Sequence, residues 1–156
     1  MQHLDIAELV RSALEVSGCD PSLIGGIDSH STIVLDLFAL PSICISVKDD
    51  DVWIWAQLGA DSMVVLQQRA YEILMTIMEG CHFARGGQLL LGEQNGELTL
   101  KALVHPDFLS DGEKFSTALN GFYNYLEVFS PVANEMKTPR LLQYLAYPQK
   151  NNRPNY

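Results

Sequence analysis

Three observations in the sequence predict an α+β domain, an antiparallel sheet covered by helices on one face. Three apolar runs follow one another closely: Thr32 to Leu40, "SICISV" and "VWIWAQL", with only short breaks between them. Consecutive strands of that kind build a meander rather than parallel crossovers. Segments with apolar residues every three or four positions precede, interrupt and follow the strands. Asn95-Gly96, set between two short strand-like segments, is the strongest hairpin signal in the chain. The predicted order is α-β-β-β-α-β-β-α.

The first helix spans 3–17, where Ile6, Leu9, Val10, Ala13 and Leu14 share one stripe and Gly18 stands at the C-terminal cap. Asp20-Pro21 and Gly25-Gly26 make a turn-rich connection. In Thr32–Leu40, Ile33, Leu35, Leu37 and Ala39 alternate with Val34, Asp36, Phe38 and Leu40, and Pro41 ends the run. Ile43, Ile45 and Val47 alternate with smaller residues. Asp49-Asp50-Asp51 is a turn. In the next strand Val52, Ile54, Ala56 and Leu58 point one way, and Trp53 and Trp55 the other. Asp61 is a candidate N-cap for a second helix that ends at Glu79-Gly80. Its core, "MVVLQQRAYEILMTIM", is apolar around much of its circumference, which predicts burial on more than one side. Gln88–Gly92 and Glu97–Val104 form the hairpin about Asn95-Gly96. Ser110 and Glu113 fit a capping box that opens the third helix. There Phe115, Leu119, Phe122, Leu126 and Phe129 recur until Pro131.

A chain of 156 residues, 47% apolar and 19% charged, suits one globular domain. Its net charge of −9 disfavours nucleic acid and anionic membrane as partners. No signal peptide is expected, because the opening residues carry acids and no basic segment before an apolar run, and no run approaches the ~20 apolar residues of a bilayer span. Cys19, Cys44 and Cys81 lack metal-site spacing, so reduced cytosolic thiols are expected.

Catalytic constellations are sparse. His30 in "DSHS" has Asp28, Ser29 and Ser31 beside it, but one loop rarely arranges a triad in space. Cys81-His82 are adjacent, a poor geometry for sharing a metal. Asp49-Asp50-Asp51 lack the spacing of a calcium loop, and Gly86-Gly87 lack the lysine of a phosphate cradle. A small hydrolase using His30 or Cys81 and His82 is the alternative to a binding protein. No metal and no cofactor are expected. The apolar excess points elsewhere. Both faces of the first three strands and much of the second helix are apolar, so a second polypeptide is expected to lie on them. An open strand edge with apolar pockets suits an extended peptide.

"MQHLDIAELVRSALEVSGCD", "VWIWAQLGADSMVVLQQRAYEILM" and "LSDGEKFSTALNGFYNYLEVF" closely resemble the InvB/SpaK family of type III secretion chaperones, over roughly residues 1–130. The resemblance implies a small, acidic, cytosolic homodimer with the same α-β-β-β-α-β-β-α order. It also implies binding of the extended N-terminal segments of several secreted virulence effectors, without ATP. "MKTPRLLQYLAYPQK", Met136 to Lys150, resembles the start of the type III secretion ATPase, which becomes a further candidate partner. "NNRPNY" resembles neither. The expectation is a chaperone domain over 1–131 and an irregular or weakly helical tail over 132–156, arising from a junction with a neighbouring gene.

Strand alternation, rather than the family's motif, selects the expected effector contacts: Val34, Phe38, Leu40, Ile43, Ile45, Trp53 and Trp55. The expected dimer interface comprises the second helix and second hairpin, with Tyr71, Leu74, Met78, Leu89 and Leu91.

Overall fold

Helix α1, Ile6–Val16, begins where the Asp5 carboxylate accepts hydrogen bonds from the backbone N–H groups of Ala7 and Glu8, at 3.0 and 3.2 Å. It ends as the sequence predicts, at Gly18 with φ +80°. The Gly18 N–H donates to the Glu15 carbonyl and the Cys19 N–H to that of Leu14, closing a Schellman motif. The computed structural model describes residues 4–19 and 32–130. The loop carrying Gly25-Gly26 and His30, and the tail predicted for 132–156, lie outside the described residues.

The element order among the described residues is the predicted one, in an α+β fold. Strands β1 (Ile33–Leu35), β2 (Ile43–Lys48) and β3 (Asp51–Gln57) precede helix α2 (Ser62–Met78), and β4 (Leu90–Gln94), β5 (Glu97–Leu103) and α3 (Gly112–Phe129) follow. The strands form one sheet in the order β1-β2-β3-β5-β4, every neighbouring pair antiparallel. Two hairpins turn on two residues each with left-handed backbone. Asp49 and Asp50 have φ of 52° and 66°, and Asn95 and Gly96 have 53° and 80°, the type I′ geometry that matches strand twist.

Several boundaries differ from the sequence expectation; Asp51, expected in the turn, opens β3. The run Thr32–Leu40 stays a strand only to Leu35. Beyond it Ala39 adopts φ +59° and the Ser42 hydroxyl donates to the Asp36 carboxylate at 2.9 Å. A polar loop closure therefore overrides the alternation. The hairpin strand expected at Gln88–Gly92 begins at Leu90 and runs on to Gln94. Helix α3 is capped by Asp111, whose carboxylate accepts from the Lys114 N–H at 2.9 Å. Ser110 is not the cap, because its hydroxyl donates back to the Asp107 carbonyl at 3.2 Å.

One hydrophobic core joins α1, α3 and one face of the sheet. Ile33, Ile45 and Ile54 from the strands meet Val10 and Leu14 of α1 and Phe115, Phe122 and Leu126 of α3. Two glycines permit the close packing. A methyl group at Gly112 would lie 2.7 Å from the backbone carbonyl carbon of Ser12, and one at Gly121 would lie 2.6 Å from the ring of Phe83. The Ser17 and Ser116 hydroxyls, 2.7 Å apart, pin the end of α1 to α3. Helix α2 is tied at both ends. The Leu98 N–H donates to the buried Ser62 hydroxyl at 2.8 Å, and the Tyr125 hydroxyl donates to the Gly80 carbonyl at 2.8 Å. Asp61 occupies the predicted cap position, but its side chain makes no cap bond.

Candidate functional site

Side chains alternate across a pleated strand, so each strand divides its residues between two faces. The packing of α1 and α3 decides which parity is covered. Val52, Ile54 and Ala56 of β3 are fully buried against the helices, while Trp53 and Trp55 lie half-buried on the other face. The strand registers align Val34, Cys44, Trp55, Lys101 and Leu90 in one row across all five strands. Ser46, Trp53 and Leu103 form a second row. No described helix buries this outer face, and Val34 and Leu90, on the two edge strands, remain 49% and 51% exposed.

The outer face is concave. Trp53, Trp55, Leu90, Thr99 and the two lysines Lys48 and Lys101 help line a groove of about 700 Å³. That is within the range of sites that take a small ligand or a few residues of chain. The Trp55 indole N–H donates to the Ser46 hydroxyl at 3.0 Å, and that hydroxyl lies 3.0 Å from the Thr32 hydroxyl. The indole is therefore held in one orientation with its polar atom satisfied, which leaves its apolar surface for contact.

The seven residues expected to meet an effector separate in space. Val34, Trp53 and Trp55 share the outer face. Ile43 and Ile45 have the opposite parity and are buried in the core at 0% and 1% exposure, so a chain laid on the outer face does not reach them. The sequence expectation drew on both parities of one strand, and the pleat separates them. Phe38 and Leu40 are half-buried in the loop after β1, with Leu40 packed against the core.

The five residues expected in a dimer interface divide likewise. Tyr71, Leu74 and Met78 stand out from α2, Tyr71 79% exposed and Met78 65%. Val64 and Met75 extend the same surface. Their positions, 64, 71, 74, 75 and 78, make a stripe along the helix. Helix α2 is bent within it at Arg69, whose φ and ψ are −124° and 22°. The opposite side of α2 sends Val65 and Ile73 into the core. Leu89 is core, only 4% exposed, and Leu91 is half-buried against it. Of the second hairpin, the residue that faces outward is Leu90, which the expectation passed over. The alternation of Leu89, Leu90 and Leu91 carries that signal, but three successive leucines conceal the parity.

Nothing in this region assembles a nucleophile. Cys81 points into the core and burial pushes its thiol above the ordinary range. His82, next to it, is exposed, its ring edge-on to Phe83 and Phe108 with centroids 5.6 and 5.5 Å away. The two side chains diverge. Burial raises the Cys19 thiol to about 11. Burial, then the nearby Asp36, also raises Cys44. A raised thiol is a weak nucleophile at neutral pH, because the thiolate is the reactive form. Among the described residues no group of three or more His, Cys, Asp or Glu side chains is placed to hold a metal. No described helix is long and apolar enough to cross a membrane.

What the arrangement offers is surface: a grooved, tryptophan-lined sheet face and an apolar helix stripe. The sequence profile of the Invasion protein B family matches residues 18–95, which span β1, β2, β3, α2 and β4 and so contain the α2 stripe and the sheet face except for β5.

Proposed function

The chain belongs to the Invasion protein B family, a family of type III secretion chaperones, and from that premise we propose that it acts in the cytoplasm as a homodimer that binds the N-terminal segments of secreted virulence effectors in extended form. Bound effector is kept from self-association and presented to the secretion apparatus, with the secretion ATPase as the receiving partner. A chaperone of this kind works by binding and requires no catalytic group.

The observation that carries the reading is the uncovered sheet face, with Val34, Trp53, Trp55 and Leu90 on one surface and no described helix over it. Fixing a disordered segment costs ~1–2 kcal/mol per residue. Each large apolar side chain it buries returns ~1.5–3 kcal/mol. An extended segment presents only alternate side chains to one surface, so the balance is close and several spaced anchors are needed. A five-strand face with two tryptophans near its centre supplies them. The α2 stripe serves the second subunit, since Tyr71, Leu74 and Met78 are too apolar and too exposed to face water over a whole helix.

Co-expression with effector N-terminal fragments, followed by size exclusion with light scattering, tests the proposal. Two copies of the chain per captured fragment are expected. Trp53→Asp should weaken capture several-fold while the dimer stays folded, because the side chain is half-buried and outside the core. Unchanged co-purification by that variant would refute the role of the outer face. A chain that is monomeric and captures no fragment would refute the chaperone reading itself.

A further inference from the structure

The chain carries 19 acidic and 10 basic residues, yet the groove on its outer face has the opposite polarity. Lys48 and Lys101 line it, and no carboxylate does. Among the described residues neither lysine has an ion-pair partner. The nearby Asp51 carboxylate is held by Arg85 at 2.8 Å. Glu97, which shares the outer parity, stands at the far end of β5 outside the groove lining.

The registers place the two lysines relative to Trp53. Lys48 on β2 lies opposite Asp51, and Lys101 on β5 lies opposite Trp55. Along β3 those levels are four residues apart, about 13 Å, and two strand spacings separate β2 from β5, about 10 Å. The diagonal between them is therefore about 16 Å and crosses β3 at Trp53. Side chains on one face of an extended chain recur at even spacings, and four steps cover about 13 Å, which the long lysine and carboxylate side chains extend to the full diagonal.

We propose that this groove selects an extended segment with two carboxylate side chains four positions apart, on one face of the strand, which pair with Lys48 and Lys101 and flank the apolar side chain midway between them, seated on Trp53. The inference rests on the reading that the outer face receives effector segments, and it adds the charge pattern of the segment. Net negative charge on the protein repels acidic chains in general. Selection comes from local complementarity, which fixes register and excludes segments with bases at those two positions.

The test uses the full chain and a fluorescent synthetic peptide with two glutamates four positions apart about a central phenylalanine, all three on one face when extended. A second peptide has glutamine at both positions. Binding is followed by anisotropy at low and high salt, with light scattering on each protein. The glutamate peptide should bind about tenfold more tightly at low salt, and the preference should vanish near half-molar salt. Lys48→Glu with Lys101→Glu should reverse the preference, and the glutamine pair Lys48→Gln with Lys101→Gln should abolish it. Both lysines are exposed, so circular dichroism should match the wild type. Equal binding of the two peptides, or no effect of the double substitutions, overturns the proposal. A change of oligomeric state in the lysine variants also overturns it, because the occupant is then a second copy. Effector fragments co-expressed in parallel separate the two ideas. Capture that ignores the lysines leaves the chaperone reading standing and removes this one. No capture by the wild type removes the chaperone reading, and the peptide measurement then judges the groove alone.

Discussion

Helices α2 and α3 are nearly equal in length, 17 and 18 residues, and both are rich in large apolar side chains. Helix α3 buries nine of its residues, and α2 buries three. The difference lies in how each is placed. Helix α3 packs along α1 and over the sheet, so its stripe of Phe115, Phe122 and Leu126 is enclosed. Helix α2 touches the domain through Val65 and Ile73, with Met63, Leu66 and Ile77 partly buried beside them, and through hydrogen bonds at its two ends, while the side carrying Tyr71, Leu74 and Met78 is exposed. Equal apolar content thus has two outcomes, a filled core under α3 and an exposed stripe on α2, which we propose receives the second subunit. Apolar content alone does not say which.

Truncation should separate the two helices most sharply. Phe122→Ala empties a fully buried site and should cost about 3–5 kcal/mol, read as a lower denaturation midpoint. Leu74→Ala on the exposed stripe should change the stability of a monomer by less than about 0.5 kcal/mol. Equal losses at the two sites would erase the distinction. Next in size, Met78→Asp should shift the assembly from dimer towards monomer by light scattering, with circular dichroism unchanged. An unaltered dimer would place the subunit contact elsewhere.

A smaller effect is expected where α3 is tightest. Gly121→Ala gains about 1 kcal/mol of helix propensity, but its methyl meets the enclosed Phe83 ring at 2.6 Å. Overpacking of about 1–3 kcal/mol should win, so the variant should melt earlier. A more stable variant would mean that Phe83 moves aside easily. The mildest probe is chemical labelling on the sheet face opposite α3. Cys44 is half-buried in the outer row, whereas Cys19 and Cys81 are buried. All three thiols are raised above their ordinary range, chiefly by burial. Labelling should therefore be slow at neutral pH and quicken as pH rises. Cys44 should react first, and bound effector should slow that reaction alone. Protection of Cys44 by no effector fragment would move the contact off this face.

Much of the architecture was legible because it is local. The stripe of Ile6, Leu9, Val10, Ala13 and Leu14 with Gly18 behind it specifies α1, since hydrogen bonds within a few residues make and end a helix. Asn95-Gly96 marks its hairpin because both residues accept left-handed backbone. Where local chemistry offered two outcomes, the prediction slipped by a residue or more. Ser110 and Asp111 compete for one cap, and Asp36 with Ser42 closes a loop where alternation suggests a strand.

By itself the sequence determined the order of the elements, the Asn95-Gly96 turn and the alternation in β3, because these depend on neighbours within a few positions. It could not assign the faces. Alternation says that Ile43 and Ile45 oppose Cys44, and Val52 and Ile54 oppose Trp53, but both sets of β3 are apolar. Only the docking of α1 and α3 decides which set is sealed. The same holds for α2, which is apolar on several sides until packing chooses Val65 and Ile73. The physical reason is that burial is a relation between elements distant in sequence. A side chain's hydrophobicity fixes how strongly it seeks cover, and the tertiary structure fixes what covers it.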